Sequence, residues 1–516
     1  MGKKDKNKKK GKGAEKTQAK TEKKLCNKLK KELKDLGEDD IESIVAQIEK
    51  EEKKRSQVIE LQVEPPSRRV NFTFVAHPDK DQLILYGGEY FNGQKTFVYN
   101  DLFFYNLTNN TWTLVKAPGG PPPRCGHQMV ATSANKGQLW VFGGEFASPT
   151  QSQFYHYRDL WVYHISKKQW EKVAAPDGPS ARSGHRMVLV KKQLFVFGGF
   201  HDNLRDYKYF NDVHVFDLET YKWKKLEPVG TPPAPRSGCC MTPLQDSKIL
   251  VYGGYSKEKI KKDVDKGHVY TDAFVLGPDK HDPNKYKWQQ VKIGGQHFSP
   301  RCSMPVVTTV NSSSAYCFGG VFDTEDDEED ISGNFFNDFY QLDLEKMVWR
   351  EMQLTGKREK ENKPRRRRKE DGEEDEENEN GSQMDTEQPI VEPTIISDDG
   401  VFKVTIGPAA TSSGDVGSKT EEEKLNLFQP SARMNCGLAI KHGILYLYGG
   451  MFEDGGRELT FSDLYSIDLK KVDEWKVIIE DDSSKMEWLG SDSESGSDED
   501  DSDESEEDSD SEMDTD

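Results

Sequence analysis

The sequence predicts an all-β chain in which six copies of a four-stranded unit pack radially, with a short helix and charged low-complexity stretches around them. Three observations carry this. A hydrophobic run ending in a glycine pair occurs six times, as LILYGG, LWVFGG, LFVFGG, ILVYGG, AYCFGG and LYLYGG. An Asp follows each pair (Asp101, Asp159, Asp212, Asp272, Asp338, Asp463), and a Trp follows each Asp (Trp112, Trp170, Trp223, Trp288, Trp349, Trp475). A Pro-x-x-Arg or near variant opens each unit with Arg69, Arg124, Arg182, Arg236, Arg301 and Arg433 in turn. The first glycine recurs at intervals of 56, 55, 55, 66 and 130, and the last interval shrinks to about 60 once residues 357–427 are set aside. Self-similarity at a fixed period marks a repeat architecture.

Each marker has a physical job. Glycine takes positive φ cheaply and lets another backbone pass close, so the pair ends a buried strand. The aromatic before each pair (Tyr86, Phe142, Phe197, Tyr252, Phe318, Tyr448) is expected to fill space between neighbouring sheets. Trp supplies a large apolar face. The Asp is expected to open the next strand and bond nearby backbone N–H groups. One four-stranded sheet cannot bury both faces alone, whereas six arranged radially can, leaving only short edges. Residues 57–63 (QVIELQV) could add an outer strand that closes the ring beside repeat six, although WKVII (475–479) is that repeat's own candidate. A degenerate seventh unit using VFKVTI (401–406) is the alternative to six.

The pattern resembles the kelch repeat, in which a hydrophobic run and Gly-Gly precede an aromatic and a Trp separated by six residues. The pairs here are Tyr105/Trp112, Tyr163/Trp170 and Phe216/Trp223, while Leu342 replaces the aromatic in repeat five. The resemblance implies a six-bladed kelch β-propeller over 65–356 and 428–480, with no catalytic activity and no cofactor. Ubiquitin-ligase membership would rest on analogy alone, because no segment resembles a BTB domain or F-box.

Propeller topology puts the d→a and b→c loops of every blade on one face. That face would gather Arg69, Arg124, Arg182, Arg236, Arg301 and Arg433 with the aromatics Tyr90, Phe146, Phe200, Tyr255, Phe322 and Phe452. A guanidinium holds a carboxylate bidentately, and Arg and aromatics are enriched at hot spots. One reading is therefore a face that binds a peptide or acidic segment of a protein partner. The competing reading is that each Arg satisfies carbonyls of its own turn and each aromatic covers its own blade. The fourth b→c loop is basic (Lys257, Lys259, Lys261, Lys262, Lys266) and the fifth acidic (Asp323, Glu325, Asp326, Asp327, Glu328, Glu329, Asp330).

Outside the repeats the chain is charged. Residues 1–24 form a Lys-rich arm, expected to be disordered, and 25–56 have helical spacing through Leu29, Leu33, Leu36, Ile41, Ile44, Val45 and Ile48. Residues 1–36 hold 15 Lys/Arg against 5 Asp/Glu, a pattern suited to RNA or ribosomal contact. The insert 357–427 carries Lys363, Arg365, Arg366, Arg367, Arg368 and Lys369, which resemble a nuclear import signal, followed by an acidic stretch, 370–380, that could fold back over the arginine-bearing face. The acidic tail spans 481–516; its residues 491–516 hold 15 Asp/Glu and no Lys or Arg, so most of the net charge of −19 resides there. Six serines of 491–516 have an acid three residues on, as acidophilic kinases require: Ser491, Ser495, Ser497, Ser505, Ser509 and Ser511.

Several classes are excluded. The chain has no run of 18 apolar residues, hence no expected membrane helix, and its first residues lack an apolar signal core. Seven cysteines without a CxxC pair suit a reduced intracellular compartment, nucleus or cytoplasm. There is no phosphate loop and no HExxH, so neither cofactor nor metal is expected. The remaining readings are a monomeric protein-binding scaffold and, alternatively, an RNA- or ribosome-associated factor using the basic arm.

Overall fold

A computed structural model describes residues 37–356 and 427–481, apart from 204–205, 262–263, 280–281, 283–284, 328–329 and 455, together with 394–398, 403–406, 486 and 488–490. The arm, the first part of the expected helix, the basic run at 363–369, the acidic stretch at 370–380 and the tail from 491 lie outside the described residues. Two compact units result, Met1–Gly356 with Leu427–Asp516, and Lys357–Asn426.

The larger unit is a ring of six sheets whose four repeat strands run antiparallel, blade 5 adding a short parallel pairing of Gly294–Gly295 on its outer strand. Their innermost strands are Thr73–Ala76, Gln128–Thr132, Arg186–Val190, Cys240–Pro243, Val306–Thr308 and Gly437–Lys441, and each touches the innermost strand of the next blade all the way round. The run before each glycine pair is the second strand. It is buried throughout, as in Gln138–Phe142, because both faces of a blade meet a neighbouring blade. Except in blade 4, where Asp272 lies within the continuous strand Val264–Pro278, the repeat Asp precedes the third strand; the Trp lies on the fourth in blades 1 to 5 and just before it in blade 6, and pairs in register with the repeat aromatic as Tyr105 with Trp112, Tyr163 with Trp170 and Phe216 with Trp223.

The Trp and the pre-glycine aromatic form the seams. Trp170 of blade 2 packs on Tyr86 of blade 1 at 5.3 Å between ring centroids. The same step recurs as Trp223 on Phe142 at 5.4 Å, Trp288 on Phe197 at 5.6 Å, Trp349 on Tyr252 at 5.5 Å and Trp475 on Phe318 at 5.9 Å. Trp112 of blade 1 meets Tyr448 of blade 6 at 5.7 Å and closes the circle. In blade 5, where Leu342 pairs with Trp349, Phe298 from the preceding loop supplies the missing ring, 5.3 Å from that Trp.

Two expectations are corrected. Residues 57–63 do not close the ring beside repeat six. β1 (Ile59–Val63) instead joins the outer edge of blade 1, Ile59 opposite Lys116 and Val63 opposite Trp112, because blade 6 already ends in Lys476–Ile479. VFKVTI does not build a seventh blade: in the smaller unit Lys403–Ile406 pairs with Thr394–Asp398 as a two-stranded hairpin. The helix α1 runs from Ile41 to Lys54, its N-terminus set by the Asp40 side chain, which accepts from the Glu42 N–H.

Candidate interaction face

The topological expectation about loops can be traced residue by residue. The residue after each Arg bridges to the hairpin after the glycine pair of the same blade: Val70 to Glu89, Cys125 to Glu145, Ser183 to Phe200, Ser237 to Tyr255, Cys302 to Val321 and Met434 to Met451. Arginine turns and b→c hairpins therefore share one face, and the six hairpins form a crown there.

The arginines themselves point inward. All six are between 0 and 5% exposed. Arg182 is representative: Nη1 donates to the Gly198 carbonyl at 3.0 Å and to Asp212 Oδ1 at 2.7 Å, Nη2 donates to Asp212 Oδ2 at 3.0 Å, and the guanidinium lies 4.1 Å above Phe210. Each equivalent Arg meets the first glycine of its pair, its repeat Asp and an aromatic: Asp159 and Tyr157 for Arg124, Asp272 and Tyr270 for Arg236, Asp338 and Phe336 for Arg301, Asp463 and Phe461 for Arg433. In blade 1 the pair loosens to 3.6 Å between Arg69 and Asp101. The Asp thus serves the guanidinium rather than nearby backbone N–H groups. Burial opposes the charge on Asp159, but Arg124 outweighs it and holds the carboxyl below its usual range. Arg182 donates its backbone N–H to the Tyr157 carbonyl of the preceding blade at 3.1 Å, and its own carbonyl accepts from Gly144 at 2.9 Å. Its main chain joins the previous blade while its side chain clamps its own. Burial leaves no guanidinium facing outward to hold a partner's carboxylate, and Arg182 and Arg433 spend all five of their donors internally.

The aromatics divide. Phe146 is 7% exposed, because Ile41 and Val45 of α1 cover it together with Tyr157. Tyr90, Phe200, Tyr255, Phe322 and Phe452 are half-buried on their hairpins. Tyr90 stacks on Phe97, Phe200 tilts against Tyr209, and Phe452 sits 5.0 Å from Phe335. In the long fourth hairpin Lys257, Lys259 and Lys266 are exposed, whereas the side chains of the acidic fifth hairpin lie outside the described set.

The crown surrounds the mouth of an axial channel of about 600 Å³. Asn71, Gly126, Gly184, Gly238, Ser303 and Asn435, one per blade, all take φ between 50° and 60°. Gly126 donates to Asn71 O at 2.9 Å, Gly184 to Gly126 O at 3.0 Å, Gly238 to Gly184 O at 3.1 Å and Asn435 to Ser303 O at 3.1 Å, forming a backbone girdle around the axis. Beside it stand carboxyls that repeat reasoning missed. Glu89 accepts from Asn71 Nδ2 at 2.7 Å and burial raises its pKa. Glu145 accepts from Ser183 Oγ at 3.1 Å and is pushed up to about 8 by burial, then by Glu89. Glu458 is pushed up to about 7 by burial and the nearby Glu89 and Glu453. His156, 3.3 Å from Glu145, is lowered to about 3 by burial and accepts the Asp202 N–H on Nε2 at 3.1 Å. The available signal was the break in the repeat: Glu follows the glycine pair only in blades 1 and 2.

Among the described residues no three His, Cys, Asp or Glu side chains gather as metal ligands, and no helix is long and apolar enough to cross a membrane.

Comparison with known proteins places this geometry. A family profile described as FBX42, beta-propeller domain, matches residues 69–277. The chain is 24% identical over 289 residues to N-(sulfonatooxy)prop-2-enimidothioate sulfolyase of Thlaspi arvense, covering 53% of this chain and 76% of the relative. It is 26% identical over 260 residues to Host cell factor of Drosophila melanogaster, covering 49% and 16%. It is 28% identical over 198 residues to Kelch repeat-containing protein 2 of Saccharomyces cerevisiae, covering 33% and 21%. The chain thus spans about a fifth or less of the length of the last two relatives. Together with six blades joined by the Gly-Gly, aromatic and Trp seams, these matches support a kelch-repeat β-propeller family for the chain.

Proposed function

We propose that this protein is a non-catalytic interaction scaffold whose crown captures a peptide segment of a protein partner. The observation that carries the reading is the contrast between scaffold and crown. The ring repeats its Arg–Asp clamps and Trp seams blade after blade, yet the hairpins differ in length and charge. They range from Glu89–Phe91 paired with Thr96–Val98 in blade 1 to the longer hairpin of blade 4, in which pairing runs from Gly254 opposite Tyr270 to Lys261 opposite Val264. Variable loops on a rigid frame are where binding residues concentrate. The contact residues are Tyr90, Phe200, Tyr255, Phe322 and Phe452; Phe146 is excluded by its cover of α1. Internal use of all six guanidinium groups argues against an acidic ligand bound through them.

The test is selection from a random peptide library with the full chain. Selected peptides should lose binding about tenfold or more when Phe200 or Tyr255 becomes Ala, the scale of a hot-spot loss above 1 kcal/mol. Binders that ignore both changes but respond to Tyr221→Ala, in the c–d turn on the opposite face, would overturn the reading.

A further inference from the structure

We propose that two copies of this chain pair through the outer edge of blade 1, the β1 strands of the two copies joining antiparallel across a twofold axis into one continuous sheet. β1 lies on Thr111–Lys116 and ends the order of its five-stranded sheet. Among the described residues no strand pairs with its other edge. Such an edge presents a row of unpaired N–H and C=O groups, which a second strand can satisfy. The later blades are edged differently, because the connection from the preceding blade runs along part of the outer strand. Val229 bridges in parallel to Lys287 in blade 4, Gly294–Gly295 pairs with Val348 and Trp349 in blade 5, and Thr355 and Gly356 donate to the carbonyls of Val472 and Asp473 in blade 6.

The side chains of β1 fit a second copy in one register. Val63 lies opposite Trp112, whose ring faces blade 6, so Ile59, Leu61 and Val63 share that side while Glu60 and Gln62 share the side toward blade 2. Val63 packs into the core between blades 1 and 6, but Ile59 and Leu61 remain 42 and 49% exposed. Glu60 is ion-paired with Lys168 of blade 2. Ile-Glu-Leu-Gln-Val alternates apolar and polar identically in both directions. Antiparallel pairing centred on Leu61 therefore sets Leu61 opposite the partner's Leu61, Ile59 opposite the partner's Val63 and Glu60 opposite the partner's Gln62. Apolar residues of both copies then cover one another on one side, and each carboxylate meets a neutral amide on the other. Moving the centre by one residue sets Glu60 opposite the partner's Glu60 or the partner's Glu64, and like charges directly opposite destabilise a strand pair. The contact is isologous and closes on itself, so it stops at two copies. A single strand on each side falls short of the roughly 20–30 residues of a standard interface, so the dimer is weak, dissociating at about 10–100 µM. It lies on the rim and leaves both crowns open, and it replaces the monomer expected from the sequence.

Two measurements on the full chain test the pairing. The first is sedimentation velocity from about 1 to 200 µM at about 300 mM salt, where attraction between charged segments is screened. The average mass should climb from 58.8 kDa toward twice that value. Leu61→Lys sets two ammonium groups against each other at the axis and should stay monomeric throughout, with an unchanged urea midpoint because the side chain is half exposed. A wild-type chain that stays monomeric, or a folded Leu61→Lys that still dimerises, would overturn the proposal. The second measurement reads the register and does not depend on that variant. The described cysteines are all buried, and Cys26 is replaced by Ser throughout. Directly opposed residues of antiparallel strands have Cα atoms about 4.5–5.5 Å apart, within disulfide reach. Leu61→Cys alone should therefore oxidise to a disulfide-linked dimer. Ile59→Cys alone should not, since it lies four residues, about 13 Å, from its own copy along the paired strands. Mixing Ile59→Cys with Val63→Cys should restore the link. Equal linking by Leu61→Cys and Ile59→Cys alone would mean random collision, and a failure of Leu61→Cys to link would place any dimer elsewhere; either result would overturn the proposal.

Discussion

Arg433 and Asp463 give the severest test of the clamp. Both are buried, at 0 and 1% exposure. Arg433 Nη1 and Nη2 reach the two Asp463 oxygens at 2.6 and 2.8 Å. The same guanidinium donates to the carbonyls of Gly449 and Ser431, each at 3.0 Å, and to Ser431 Oγ at 2.7 Å. Arg433→Met keeps most of the aliphatic bulk but strands a buried carboxylate and two carbonyls. Removing one partner of a buried pair costs about 3–5 kcal/mol. Replacing both partners by apolar groups, as in Arg433→Met with Asp463→Leu, costs less than the sum of the single changes, because no charge is left unpaired. In blade 1 the ion pair is 3.6 Å long and Asp101 is 27% exposed, so water takes over part of the lost contact. There Arg69→Met should cost about 1–3 kcal/mol. The assay is urea unfolding followed by tryptophan fluorescence, which reports the seams directly. A loss below about 1 kcal/mol for Arg433→Met, or strict additivity in the double-mutant cycle, would refute the clamp as a coupled buried unit.

Other consequences are measurable. The Glu145 carboxyl, raised from 4.5 to about 8, keeps its proton in the fold after the unfolded chain has lost it. Its contribution is therefore full below pH 4.5 and falls as pH rises to about 8, so the Tm decline between those values should be shallower in Glu145→Gln. Gly198 has φ of +69°, and an added Cβ would lie 2.6 Å from the Arg236 carbonyl oxygen. Gly198→Ala should cost about 2 kcal/mol or more in urea unfolding. Trp170→Ala removes one seam and should cost about 3–5 kcal/mol by the same assay. Val45→Asp, at a position 4% exposed, should abolish amide-exchange protection over Ile41–Lys54 while leaving the ring strands protected.

Legibility followed periodicity. Six-fold recurrence exposed the Gly-Gly ends, the Trp positions and the shared face of turns and hairpins, because each occupies one structural role six times. The Asp could be placed but not partnered: its Arg lies some 30 residues away in sequence, and only the ring geometry brings Arg182 to Asp212. One-off features were harder. The destination of β1 depends on which of two blades has a free outer edge, and a five-residue run with Ile59, Leu61 and Val63 on one side suits either. Phe298 replaces a missing ring from a loop with no repeat register. The carboxyls at the mouth were hidden because Glu89 and Glu145 look like solvated residues until the girdle and the hairpins desolvate them.

The last blade has a consequence for biosynthesis. Residues 357–426 separate it from blade 5 along the chain, and Tyr448 must find Trp112 across more than 300 positions. The join is held by Tyr448 hydroxyl to Pro66 O at 3.0 Å, Lys441 to His77 O at 2.8 Å and Arg68 to Asp481 at 2.6 Å. While the ribosome is still making this segment, five blades stand as an open arc with two raw apolar flanks. A nascent chain stalled before residue 433 therefore exposes both flanks at once and is the species most in need of a chaperone.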